Sequence, residues 1–152
     1  MVERIMHYLI VEDDKSIRDI LRDIFEILEP DGAFTFFKSG HEASDWLDTL
    51  DEKTDPKMLP NIAFLDIRLP GPQGHEIAER IRTTTVLKDM GIILMTAYEL
   101  SSEEYDEVMS RSQADRYITK PLPGVRGLNT MVEEIMTLRQ KPIESSNDKS
   151  AT

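Results

Sequence analysis

Cysteine is absent from the 152-residue chain. That excludes disulfides, thiolate nucleophiles and cysteine-ligated zinc or iron–sulfur centres together. It also fits a reducing compartment, and a cytoplasmic location is expected. Long apolar runs are missing as well. The longest, Tyr8-Leu9-Ile10-Val11 and Ile92-Ile93-Leu94-Met95, fall far short of the ~20 residues that span a bilayer. The opening Met1-Val2-Glu3-Arg4-Ile5 lacks the apolar core of a secretory leader. No basic block occurs, and 29 acids against 18 Lys and Arg give a formal net charge of −11. Direct binding to nucleic acid or to an anionic membrane is therefore not expected, because affinity for phosphate backbones comes largely from Lys and Arg. Most of the scattered acids read as solvated helix faces. The length fits one domain, large enough to bury about 70% of the surface its unfolded chain exposes.

Short apolar runs alternate with longer stretches of helical period. Met6-His7-Tyr8-Leu9-Ile10-Val11 is a strand candidate ending in acids. From Asp14, a capping residue, Ile17, Ile20, Leu21, Ile24 and Leu28 recur at helical spacing, and Pro30-Asp31-Gly32 stops the helix. A second strand at 34–37 precedes a helix at 42–50 that packs Ala43, Trp46, Leu47 and Leu50. Residues 51–61 read as a surface loop. Ile62-Ala63-Phe64-Leu65 is a third strand running into Asp66, and a helix with Ile77, Ala78 and Ile81 inward follows Gly74. A fourth strand at 91–95, a polar helix at 101–110 opened by Ser-x-Glu-Glu and a short fifth strand, Tyr117-Ile118, come next. The last helix carries Val125, Leu128, Val132, Ile135 and Leu138. Five strands each followed by a helix imply right-handed crossovers and a parallel sheet covered on both faces, an α/β fold. The domain is expected over 1–139, with a polar, disordered tail over 140–152.

In such sheets ligands sit beyond the carboxyl ends of the strands. Glu12-Asp13-Asp14 ends the first strand, Asp66 the third and Thr96 the fourth, and Lys120 follows the fifth. Any one of these alone reads as a cap, a strand-end threonine or a surface lysine; joint placement at one sheet edge makes them a constellation. Carboxylates gathered at buried strand ends repel and are desolvated, which raises their pKa unless a cation neutralises them. A hard divalent cation meets that need, and magnesium takes only one or two carboxylates while keeping several waters. A carboxylate beside such a cation can act as a nucleophile towards phosphorus. Magnesium, the Lys120 ammonium and the Thr96 hydroxyl suit the equatorial oxygens of a phosphoryl group in transfer.

These residues resemble the receiver domains of bacterial two-component response regulators, the CheY-like family. The resemblance lies in Leu9-Ile10-Val11-Glu12-Asp13-Asp14, in Phe64-Leu65-Asp66-Ile67-Arg68-Leu69-Pro70 with Gly74, in Met95-Thr96-Ala97 and in Tyr117-Ile118-Thr119-Lys120-Pro121. It implies a (βα)5 doubly wound, flavodoxin-like sheet of five parallel strands in the order 2-1-3-4-5. It implies Asp66 as phosphoacceptor, Asp13 as a direct Mg2+ ligand, Glu12 as a ligand through water, and the main-chain carbonyl of Arg68 as a further ligand. Asp14 matches the next, non-ligating position. Thr96 and Lys120 match the phosphoryl-binding hydroxyl and ammonium, Ala97 the small residue beside the phosphate, and Tyr117 the aromatic that turns inward with Thr96. The Lys120-Pro121 peptide is expected to be cis. The implied partners are a histidine kinase or histidine phosphotransfer protein, docking near residues 15–20 and Leu122-Pro123, and a downstream protein target. The readout surface is expected on the fourth helix, fifth strand and fifth helix, where a homodimer can also form. None of His7, His41 and His75 is expected to be the phosphodonor.

The function so implied is a signalling switch that accepts a phosphoryl group and relays it or signals by protein contact; its only catalysis is its own phosphorylation and dephosphorylation. A stand-alone receiver is the favoured reading, and an amino-terminal receiver fragment of a longer regulator the alternative. A haloacid-dehalogenase-type phosphatase needs Asp-x-Asp after its first strand, but Arg68 fills the second place and the motif follows the third strand. A flavodoxin-like anion-binding module needs a Gly/Ser/Thr-rich loop where this chain has Glu12-Asp13-Asp14. The resemblance also sets the side chains of Arg68 and Tyr98 at the entrance of the site, where they would hinder water and tune phosphoryl lifetime. Replacing both by alanine should change the dephosphorylation rate, and unchanged decay kinetics would discard this role.

Overall fold

A computed structural model describes the backbone of residues 5–151 and the side chains of residues 5–139. The chain runs β1 (His7–Val11), α1 (Lys15–Leu28), β2 (Ala33–Phe37), α2 (Gly40–Asp48), β3 (Ile62–Asp66), α3 (Gly74–Thr83), β4 (Gly91–Thr96), α4 (Ser102–Ser112), β5 (Arg116–Thr119) and α5 (Val125–Ala151). The strands form one parallel sheet in the order β2-β1-β3-β4-β5. The loop expected over 51–61 contains a 3-10 turn, Pro56–Met58, capped by the Asp55 carboxylate, which accepts from Lys57 N at 3.0 Å. The side chains of the tail expected to be disordered, 140–152, lie outside the described residues.

Because alternate strand residues point to opposite faces, the sheet builds two cores. Leu9, Val11, Ala63, Leu65, Ile92 and Leu94 face α2, α3 and the Val108 side of α4. Tyr8, Ile10, Phe64, Ile93 and Met95 face α1 and α5. Covering on both faces explains why these strands are continuous apolar runs.

Two helices bury different residues from those the spacing marks. In α1 the most buried side chains are Leu21 and Phe25, at 0% and 1% exposed, whereas Ile20 is 45% exposed. Phe25 stacks on Tyr8 with ring centroids 4.5 Å apart and tilts against Phe64 at 5.5 Å. The helix is rotated towards these aromatics, and the Ile20 edge turns to solvent. In α5 Leu128, Val132 and Ile135 are buried, but Val125 and Leu138 are exposed. These two sit at the ends of the stripe, beyond the width of the sheet that the helix covers.

At the amino edge of the sheet, Asp115 gathers three elements. It accepts from Ile92 N at 2.9 Å, from Arg139 Nη2 at 2.8 Å and from Arg82 Nη2 at 3.3 Å. Arg82 also donates to Met90 O at 2.6 Å. The network ties α3, β4 and α5 together at the edge opposite the strand ends that carry chemistry.

If packing is as described, Phe25→Ala should cost about 3–5 kcal/mol of stability. Ile20→Ala should cost under about 1 kcal/mol, as exposed substitutions do. Denaturant unfolding of both variants checks this, and comparable losses would contradict the rotation of α1.

Candidate functional site

The carboxyl ends of β1, β3, β4 and β5 lie level because of the strand register, which pairs Val11 with Leu65, Asp66 with Met95 and Thr96 with Thr119. Each strand therefore delivers its polar terminal residue to one edge. Glu12 and Thr96 are fully buried, Asp66 is 4% exposed, and Asp13 is exposed at the rim. Carboxylate oxygens of Glu12, Asp13 and Asp66 all lie within 4.8 Å of one another.

Lys120 enters from the end of β5, its peptide bond to Pro121 cis. Its Nζ stands 2.6 Å from Glu12 Oε1 and 3.6 Å from Asp66 Oδ2. The contact with Glu12 is a close, buried ion pair that occupies Oε1. The second oxygen, Oε2, accepts from Asp14 N at 3.1 Å. Asp14 itself caps α1, accepting from Ser16 N at 2.8 Å, so its carboxylate faces the helix end.

Burial pushes the Glu12 carboxyl up to about 7, against the opposing pull of the Lys120 ammonium and the Asp14 N–H. Burial likewise raises Asp66, with Lys120, Glu12 and the Arg68 main chain pulling the other way and Asp13 adding to the rise. For Lys120 burial acts to lower the pKa, but Glu12 and Asp66 together outweigh it and leave it raised. Three carboxylates around one ammonium leave two negative charges without a counter-ion within the cluster. An all-oxygen donor set with that charge fits a hard divalent cation.

Thr96 Oγ1 accepts from Tyr98 N at 3.1 Å, and Lys120 N donates to Thr96 O at 2.8 Å. The Arg68 guanidinium lies over the Tyr98 ring, 5.0 Å from its centroid, and Tyr98 is 59% exposed. Tyr117 is half-buried on the outer face of β5, and its hydroxyl donates to the Tyr98 carbonyl at 3.4 Å. The histidines sit apart from this cluster by element: His7 in β1 against Thr35 Oγ1 at 2.7 Å, His41 in α2 and His75 in α3.

Two further residues support the cluster: Arg18, which no motif marks, and Gly74, which belongs to the segment that follows Asp66 in the resemblance. Arg18, in the second turn of α1, donates to the main-chain oxygen of Glu12 at 2.8 Å and pins the strand end. Gly74 opens α3 so close to β3 that an added Cβ would stand 2.2 Å from the Asp66 carbonyl oxygen. A glycine at the start of a helical stripe hints at such close approach; nothing marks Arg18. A cavity of about 340 Å³ lined by Leu50, Lys53, Thr84 and Val86 shares no residue with the carboxylate cluster.

A family model described as the response regulator receiver domain matches residues 8–133. The sensory transduction protein LytT of Oceanobacillus iheyensis is 30% identical over 138 residues, covering 91% of this chain and 51% of that protein. The probable methanogenesis regulatory protein FilR2 of Methanothrix harundinacea is 28% identical over 127 residues, 84% of this chain and 79% of that protein. Among solved structures, a CheY-like response regulator receiver domain protein from Methanospirillum hungatei is 25% identical. The match has a TM-score of 0.72 and covers 91% of this chain and 99% of that one. The chain thus spans about half the length of the LytT relative.

Protons should compete with a divalent cation for Glu12, whose carboxyl is raised by burial to about 7. Magnesium affinity is expected to rise by up to roughly tenfold between about pH 6 and about pH 8, as that group ionises. Glu12→Gln should flatten the dependence. Calorimetric titration with magnesium chloride checks this; equal wild-type affinities at the two pH values would remove Glu12 from the metal site.

Proposed function

The chain belongs to the response regulator receiver domain family, and on that premise we propose that it is a switch set by phosphorylation of Asp66. The observation that carries the reading is the meeting of Glu12, Asp13 and Asp66 oxygens within 4.8 Å, with the Lys120 ammonium in reach of two of them. The phosphoryl group comes from a phosphohistidine of a histidine kinase or histidine phosphotransfer protein. An Asp66 oxygen attacks phosphorus, the O–P bond forms as the P–N bond breaks, and the departing imidazole takes up a proton. Asp13, Asp66, the Arg68 carbonyl and, through water, Glu12 would hold magnesium, which when bound would supply positive charge against that of the transferring group.

This chain's own residues do the rest. Lys120 turns from Glu12 towards a phosphoryl oxygen, a short move given that Asp66 Oδ2 is already 3.6 Å away. Thr96 presents a buried hydroxyl to a second oxygen and gives up its bond from Tyr98 N. Arg68 and Tyr98, stacked beside the acceptor, limit the approach of water to the acyl phosphate. The two new charged hydrogen bonds are worth about 1.5–3 kcal/mol each. Reversing a 1:99 equilibrium takes roughly 5.5 kcal/mol, so these bonds supply much of what a switch needs. The movement of Thr96 vacates room for Tyr117 to turn inward, which alters the surface of α4, β5 and α5. That surface contacts a downstream protein target or a second copy of the chain.

The receiver unit is assigned to 1–139, in the cytoplasm, and no direct contact with nucleic acid or membrane is part of the reading. Among the described residues no helix is long and apolar enough to cross a membrane. A second reading, a receiver joined to an output domain in a longer regulator, is supported by the length of the LytT relative, of which this chain covers 51%.

Incubation with acetyl phosphate followed by intact-protein mass measurement tests the chemistry. A single phosphoryl adduct is expected with magnesium present, and none with a chelator or with Asp66→Asn. An adduct that survives Asp66→Asn, or none under any condition, would overturn the assignment.

A further inference from the structure

Beside the proposed switch residue the surface opens into a cavity of about 330 Å³ between the start of α4 and the end of β5. Two of its walls are the rings of Tyr105 and Tyr117, set edge to face at 79° with centroids 5.4 Å apart. Leu100 adds an apolar surface, Ser102 and Thr119 add hydroxyls, and Glu99 and Asp106 add carboxylates. No basic side chain lines the cavity. Among the described residues neither carboxylate is in an ion pair, whereas Arg111 and Arg116 nearby are taken up by Glu79 and Glu134.

Aromatic faces carry negative quadrupole density and attract cations within about 6 Å. Two rings with two carboxylates outside any described ion pair make a site for one positive charge, and those carboxylates would repel an anion. The apolar side suits the aliphatic stem of a lysine or arginine, which prefers burial while its head is paired. The exposed acid Glu103 on the same helix extends the negative field and would steer a basic partner towards it.

We propose that this cavity receives an arginine or lysine side chain from a basic segment of a partner protein, and that it does so while Tyr117 faces outward. The second part rests on the reading of Asp66 and Tyr117 given above. In the outward arrangement the Tyr117 hydroxyl is tied only to the Tyr98 carbonyl, at 3.4 Å, a long and weak bond. When Tyr117 turns inward the cage loses a wall. The basic partner therefore binds the unphosphorylated form and is released on phosphorylation. By linkage it opposes phosphorylation by the same factor by which phosphorylation weakens its binding.

A labelled Gly/Ser peptide carrying two arginines, and its counterpart with neutral citrullines, test this by fluorescence anisotropy on the full chain. The arginine peptide should bind and the citrulline peptide should not. Tyr105→Ala, which leaves net charge unchanged, should weaken binding roughly three- to tenfold, the range of one cation–ring contact, and Tyr105→Phe should restore it. Asp106→Asn should weaken binding more than Glu52→Gln, an acid outside this cavity. Undiminished binding by Tyr105→Ala, or equal losses in the two acid variants, would show attraction to net charge alone and overturn the cage. Self-association of the free protein that Tyr105→Ala abolishes would make a second copy the occupant and overturn the foreign partner. Protein carrying the acetyl-phosphate adduct should bind the peptide several-fold more weakly; equal binding would overturn the release. Failure to form any adduct would count against the Asp66 reading, leaving the cage to stand or fall on the first arm.

Discussion

Carboxylates buried at the ends of adjoining strands repel one another, and the arrangement of this molecule follows from how that repulsion is contained. The Lys120 ammonium, 2.6 Å from Glu12 and 3.6 Å from Asp66, is the cation the chain itself supplies. It cannot serve all three acids. Burial therefore raises the pKa of both Glu12 and Asp66, Glu12 to about 7, and the site is held in a state that gains from any added positive charge. The bond from Arg18 to the end of β1 and the tight contact of Gly74 with Asp66 both lie beside this cluster. They hold in place groups that would otherwise drift apart.

A path of contacts leads from the cluster to the surface. Arg68, two residues beyond Asp66, rests on Tyr98; the Tyr98 carbonyl accepts from Tyr117; Tyr117 meets the edge of Tyr105. Three of these four residues follow strand ends or lie on β5, and the fourth is on α4. Chemistry at the sheet edge is therefore separated from the α4 face by only a few side chains. At the other edge Asp115 accepts hydrogen bonds from Arg82, Arg139 and the Ile92 main chain.

Much of this was legible in the sequence because the fold converts strand order into position. Apolar runs of four or five residues ending in Glu12-Asp13, Asp66 and Thr96 mark the carboxyl edge without any side-chain geometry. The capping of α1 by Asp14 and of α4 by Ser101 also follows from local chemistry. The unread parts depend on tertiary contacts. Helical spacing gives Ile20 and Phe25 equal claim to the core, and only packing against Tyr8 and Phe64 decides for Phe25. Gln113 ends α4 in a left-handed conformation, φ 51°, where glycine is the usual signal. The carbonyl of Gln113 accepts from Arg82 Nη2 at 3.0 Å, a contact from a distant helix that no local pattern encodes. Tyr105 escapes notice for the same reason, since its partner Tyr117 lies on another element; Arg18 is only six residues from Glu12, but no local pattern marks a bond from a helix back to a strand end.

One main-chain bond has a bearing on time. Lys120 N donates to Thr96 O at 2.8 Å, and Thr96 pairs with Thr119 across the ladder. The backbones that carry the ammonium and the hydroxyl are thus one body. They can answer an arriving charge only by rotating side chains, without sliding a strand. Such rotations are intrinsically far quicker than the diffusional meeting of two proteins. On the proposed phosphoryl switch, such alternatives would be sampled many times before any partner arrives, so encounter and acyl phosphate decay would set the pace of the signal.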